Sequence, residues 1–148
     1  MQLRSILAPV DFSPRSEEAL RYAVAIAEKF HVPIHLLHVF QDVGVYQTEV
    51  VTIPPDMPPL EQLLEPIRIE LAALAAKYQL DRFGGRIEAI PGIAVEEIVD
   101  YAREHHIDLI TLGTHGRGWL AHALLGSVAE KVVRLAPCAV LTVRSPQP

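Results

Sequence analysis

Apolar residues follow two rhythms along this chain. Five short runs are almost continuously apolar: "LRSILAPV" (3–10), "IHLLHVF" (34–40), "GRIEAIP" (85–91), "DLITLGT" (108–114) and "CAVLTVR" (138–144). Such runs suit parallel strands covered on both faces. Between them, apolar positions recur every three or four residues, the spacing of a helix face. Leu20, Ala23, Ala27 and Phe30 make such a stripe over 14–30. Ser13 can cap that helix, Pro14 suits its first position, and Glu17 and Glu18 suit its positive end. A second helix is expected over 58–79, with Leu60, Leu63, Leu64, Ile67, Leu71, Leu74 and Tyr78 in one stripe. Pro66 lies inside it, so the helix kinks or starts there. A third covers 94–106, with Val95, Ile98, Val99 and Ala102 inward. The fourth covers 128–136; Ser127 and Glu130 form a capping box ahead of it, and Pro137 stops it.

The elements therefore alternate, strand then helix, from end to end. Alternation of this kind predicts a single α/β domain over 1–148, a doubly wound parallel sheet with helices on both faces. Five strands of this type usually take the order 3-2-1-4-5 or 2-1-3-4-5. One connection is long: "QDVGVYQTEVVTIPPDM", residues 41–57. Loops of that length are often functional, and this one reads as a lid or as a surface excursion packing Val50, Val51 and Ile53.

Composition narrows the function. Half of the 148 residues are hydrophobic, enough for a real core. The formal charge of −5 and the lack of a basic run exclude a general nucleic-acid binder. A single cysteine, Cys138, rules out a disulfide within the chain and points to a reducing compartment. Cys138 itself reads as a small buried apolar residue. No window reaches the roughly 18 apolar residues of a membrane span, and the first residues do not read as a secretory signal. A cytoplasmic protein without membrane contact is expected.

The stretch "GTHGRGWLAHALLGS" then stands out, because it holds four of the eight glycines. It runs from the end of the fourth strand to the start of the last helix. In open α/β sheets, ligands bind beyond the carboxyl ends of the strands, where the strand order reverses. If strands 1 and 4 are neighbours, that crevice lies between Pro9–Ser13 and Gly113–Gly118. A helix N-terminus there offers free N–H groups to phosphate. Gly113 and Gly116 would let the backbone wrap an anion, and Gly126 would let it approach the helix start. The Walker A reading fails, because Trp119 and Leu120 stand where Lys and Ser/Thr are needed. A Rossmann fingerprint on Gly116, Gly118 and Ala121 lacks its acidic residue, since no Asp or Glu follows Glu130.

Gly113, Gly116, Gly126 and Ser127 do fit G-x2-G-x9-G-(S/T), which resembles the nucleotide-binding motif of the universal stress protein family. "ILAPVDFSPRSEEALRYAVAIA", "LLHVF" and "GSVAEKVVRLAPCAVLTVR" resemble that family's opening, second strand and closing segment. The resemblance implies a sheet of order 3-2-1-4-5, homodimers that pair their last strands (138–144), and binding of ATP, with or without Mg²⁺. It further implies that Asp11 lies beside the adenosine and that Val39 meets the adenine through its backbone. Gly113, Gly116, Gly126, Ser127 and the Val128 N–H would surround ribose and phosphates, and Pro9 and Val10 would line the cleft.

Plainer readings of the same residues remain open. Asp11 can cap the first helix region. Ser127 with Glu130 is explained as a capping box. Arg117 reads as a solvated charge and Trp119 as packing. The seven histidines show no metal-ligand spacing in a suitable element; His35 and His38, three apart in one strand, face opposite sides. The function expected is an adenine-nucleotide-binding regulator in the stress response. The alternatives are a slow ATP-hydrolysing or nucleotide-transferring enzyme on the same fold, and a ligand-free interaction module.

Overall fold

The computed structural model describes residues 2–41, 56, 58–114 and 125–144. Strand β1 (Ile6–Pro9) leads to helix α1 (Pro14–Phe30), then β2 (Ile34–Phe40) and α2 (Leu60–Lys77). A short 3-10 turn (Leu80–Phe83) precedes β3 (Ile87–Pro91), α3 (Ala94–Glu104), β4 (Leu109–Gly113), α4 (Ser127–Leu135) and β5 (Ala139–Val143). All strands pair in parallel, in the order β3-β2-β1-β4-β5. The alternation expected from the apolar rhythm is therefore present. The elements are one to three residues shorter at several ends, because a strand stops where its neighbour no longer offers a ladder partner. Most of the 41–57 connection lies outside the described residues.

Right-handed crossovers run one way from β1 to β3 and the other way from β3 to β5, so the helices divide between the two faces. On one face Ile6, Ala8, Ile34 and Leu36 pack with Leu20, Ala23 and Ala27 of α1 and with Leu64 and Leu71 of α2. On the other, Leu7, Leu37, Ile110 and Leu112 pack with Ile98 and Ala102 of α3 and Ala129 and Val132 of α4. Adjacent residues of β1 thus feed opposite cores, and Ile6 and Leu7 are both fully buried. At the start of the sheet, the Arg4 main-chain N–H donates to Asp108 at 2.8 Å, and its guanidinium adds bonds of 3.1 and 3.0 Å.

Local chemistry explains the helix ends. The Ser13 hydroxyl accepts the Ser16 N–H at 3.2 Å and caps α1, with Pro14 just inside. His31 closes that helix in the left-handed region (φ 55°) and returns its N–H to Ala27. Pro66 lies inside α2 without ending it, on the exposed face. Two residues of the expected stripes are exposed. Phe30 is 56% exposed and Leu60 42%, because each is a terminal residue of its helix and only central turns lie over the sheet.

Candidate functional site

The sheet opens where its strand order reverses. The ladder between β1 and β4 joins only Ile6 to Leu109 and Leu7 to Ile110, so the two strands part beyond Leu7. A cleft of about 810 Å³ forms there, over the carboxyl ends of β1, β2 and β4 and against the start of α4. Its lining includes Pro9, Val10, Asp11, Val39, Gly113, Gly126, Ser127 and Val128. Gly116, together with Arg117 and Trp119, lies outside the described residues. Lining residues that sequence reasoning did not assign to the site include Phe12, Ser16, His38, Phe40, Thr114 and Leu112, with Ile67 and Glu70 from α2 and Ala94 and Ile98 from α3. They are spread over five elements and the connections after β1 and β4, so no short motif marks them. The one available signal was the strand rhythm, which already separated the faces of His35 and His38.

The turn from β1 to α1 is tightly tied. Asp11 accepts the Ser13 N–H through Oδ1 at 2.9 Å, and its own N–H donates to Ser16 Oγ at 3.2 Å. Ser16 Oγ in turn donates to the Ser13 carbonyl at 3.0 Å. Phe12, between them, has φ 62°, left-handed backbone that a bulky residue rarely adopts. The His38 ring lies 4.8 Å from the Phe12 ring, tilted by 30°, and His38 Nδ1 donates to the Val10 carbonyl at 2.8 Å.

The end of β2 has an open edge. Leu36 donates its N–H to the Arg86 carbonyl at 2.8 Å, and the Phe40 carbonyl accepts the Gly92 N–H at 3.0 Å. Even-numbered β2 residues thus turn their peptide groups toward β3. Odd-numbered ones turn toward β1, as the Leu37 carbonyl does in accepting the Val10 N–H at 2.8 Å. The β1 ladder stops there. Val39 therefore points its N–H and C=O to the side that β1 has left, and no hydrogen bond joins it to the β1–α1 segment among the described residues.

Across the cleft, Thr114 donates its N–H to the Val143 carbonyl at 3.0 Å, and its own carbonyl accepts the Gly126 N–H. The chain is thereby drawn together where α4 begins. Gly126, not Ser127, is the N-cap of α4, and among the described residues no side chain caps the helix. The expected capping box is absent for a geometric reason. The helix starts one residue earlier, so Ser127 already has helical backbone and sits exposed at the first position. The Glu130 N–H goes to the Gly126 carbonyl at 2.9 Å, and its carboxylate pairs with Arg134 at 3.0 Å. The N–H groups of Ser127, Val128 and Ala129 precede the first helical bond and face the end of the helix.

Gly113 has a structural reason of its own. A Cβ there would lie 2.8 Å from the Arg15 carbonyl oxygen and 3.1 Å from the Ser16 nitrogen. The α1 backbone approaches β4 that closely. Among the described lining residues there is no Lys or Arg, and what these residues offer an anion is the main-chain N–H groups at the start of α4. Among the described residues, no group of three His, Cys, Asp or Glu could hold a metal ion, and no helix is long and apolar enough to cross a membrane.

Remote from the cleft, His35 is buried, with Nδ1 3.0 Å from the Tyr101 hydroxyl and its ring 5.6 Å from that of His105. Burial pushes the His35 pKa down, assisted by His105 and Arg86, and burial pushes the Tyr101 hydroxyl up. Cys138, half-buried beside β5, has its thiol pushed up by burial as well.

An open parallel α/β sheet with a cleft at its reversal point and a helix N-terminus facing it places the protein in the doubly wound class. The model of the universal stress protein family matches residues 2–144, and the chain belongs to that family. It is 34% identical to universal stress protein MJ0531 of Methanocaldococcus jannaschii, over 97% of this chain and 84% of that one. A universal stress protein solved in complex with cAMP superposes with a TM-score of 0.70 at 20% identity, covering 99% of this chain and 100% of the other. The universal stress protein of Archaeoglobus fulgidus in complex with dAMP gives 0.62 at 23% identity, with 96% and 98% covered.

Proposed function

We propose that this cleft binds an adenine nucleotide, ATP with or without Mg²⁺, and that the protein is a nucleotide-dependent regulator in the stress response. The observation that carries the reading is the open Val39 edge facing the bare α4 N-terminus across one cleft. A peptide N–H beside a peptide C=O matches the acceptor and donor on the pairing edge of adenine. Val10, Phe40, Ile98 and Leu112 supply apolar walls for a flat base, with Pro9 behind them. Asp11, at the start of the turn from β1 to α1, would meet the ribose. Gly126, Ser127 and the Val128 N–H are the groups for phosphate, joined by Gly113 and Gly116 in the motif. The cleft volume of about 810 Å³ falls within the range of small-ligand sites, roughly 300–1,000 Å³. The bound cAMP and dAMP of the two related structures support the same ligand class.

The active form is a homodimer joined through β5, the edge strand. Thermal unfolding with and without nucleotide tests the ligand. ATP at about 100 times its dissociation constant stabilises the wild type by roughly 2.7 kcal/mol. Gly126→Val loses that shift and keeps its ligand-free transition, because the added side chain fills the approach to the helix start. No shift with ATP, AMP or cAMP at millimolar concentration overturns the assignment. Chromatography of small molecules released from the denatured protein identifies which nucleotide copurifies.

A further inference from the structure

We propose that His38 is a positioning residue for the base-recognition edge: its ring takes the Val10 carbonyl out of the sheet ladder and braces Phe12, which leaves the Val39 peptide groups open to ligand. The inference rests on the nucleotide reading and deepens it. In an unbroken parallel ladder, a residue that donates its N–H to one neighbour accepts at its C=O from the residue two further along that strand. Val10 donates to Leu37, so its carbonyl would next accept the Val39 N–H. That carbonyl instead accepts from His38 Nδ1 at 2.8 Å. A carbonyl only accepts, so the Nδ1 carries the proton, and it does so whether the ring is neutral or charged. The substitution of a side-chain donor for a ladder donor ends the β1 pairing one residue early and leaves the Val39 edge unused.

The same ring serves the turn. Phe12 holds φ 62°, a conformation that persists only where its surroundings enforce it. The His38 ring, 4.8 Å away, packs on Phe12 from the strand side. Asp11 lies between the residue whose carbonyl His38 binds and the residue on which it packs, so both contacts fix where Asp11 stands. His35 has no part in this. It points to the other face, toward Tyr101 and His105.

Two variants separate the contributions. His38→Phe keeps a ring and removes the donor; His38→Asn keeps an N–H donor close to the Nδ1 position and removes the ring. In the ligand-free protein, nitrogen NMR is expected to show His38 Nδ1 protonated, and the Val39 amide is expected to exchange with solvent as an open group. In His38→Phe that amide becomes protected, since the Val10 carbonyl is released to accept it. ATP affinity by calorimetry falls about tenfold in His38→Phe, the factor set by the net worth of one hydrogen bond, while His38→Asn stays closer to wild type. If His38→Phe does not fold, His38→Gln replaces it, since its amide lies at the Nε2 position and cannot reach the carbonyl. A Val39 amide already protected in the wild type, or donor-less variants that bind ATP as tightly as wild type, overturns the proposal. If wild type binds no adenine nucleotide, the nucleotide reading fails by itself, and the ring-nitrogen signal and Val39 exchange still decide whether His38 holds the edge open.

Discussion

A methyl group at position 113 would sit 2.8 Å from the Arg15 carbonyl oxygen and 2.9 Å from its carbon. These are backbone atoms of α1, so no rotamer change relieves the contact. Gly113→Ala is expected to cost about 1–3 kcal/mol, the usual range for overpacking, measured by urea denaturation without ligand. An unchanged midpoint would show that α1 moves away freely. His35 makes a second residue-scale case, through pH. Its pKa is lowered in the fold by burial, so the unfolded chain binds the proton more readily. Stability therefore falls as pH drops below the unfolded value near 6.5 and continues to fall until the folded pKa is reached. His35→Asn is expected to flatten the profile in that window, leaving the lower-pH loss from Asp108, whose carboxyl is held down by Arg4. A wild-type profile flat between pH 5 and 7 would contradict this. Of the glycine cluster, the sequence showed that the backbone needed room, but not what fills it. At Gly113 the neighbour is a helix about a hundred residues earlier in the chain, and no spacing rule reports such an approach.

At the scale of elements, β5 is the decisive edge. Among the described residues it pairs only with β4. The Val143 carbonyl accepts the Thr114 N–H, so odd-numbered residues of β5 turn their peptide groups to β4, and Val140 and Thr142 turn theirs outward. An exposed edge of this kind invites pairing with another chain. Val140→Pro would remove an outward donor without touching the β4 ladder. Sedimentation is expected to show a dimer for wild type and a shift toward monomer for this variant; a wild-type monomer at micromolar concentration would contradict the dimer. The type and chain order of the five strands and four α-helices were legible from apolar rhythm, because strands buried on both faces and helices buried on one face repeat differently; the 3-10 turn Leu80–Phe83 was not. Their ends were less legible. Ser127 illustrates the reason: Ser followed by Glu three residues on is a capping signature, yet helix α4 begins at Ser127 itself. The Gly126 N–H is held by the Thr114 carbonyl, a contact across the loop base that draws the helix start forward by one residue.

For the whole molecule, the cleft exists because the strand order turns round at β1. Ligand binding there should therefore couple to the stability of both halves of the sheet. Saturating ATP is expected to slow hydrogen exchange in the ends of β1, β2 and β4 and the first turn of α4, and to leave the β3 edge and the 3-10 turn unaffected. Uniform protection across the sheet, or none, would argue against a site at the reversal point. The alternating pattern alone determined a parallel α/β sheet, since continuous apolar runs and one-sided stripes can be buried together in few other ways. The family resemblance then implied the strand order, β3-β2-β1-β4-β5. Only the tertiary structure decided that Val39 faces an abandoned ladder edge, that Phe12 is held left-handed, and that His38 spends its proton on the Val10 carbonyl. Each of these depends on where β1 stops relative to β2, and that register is set by packing between segments far apart in the chain, not by the local preferences of the residues.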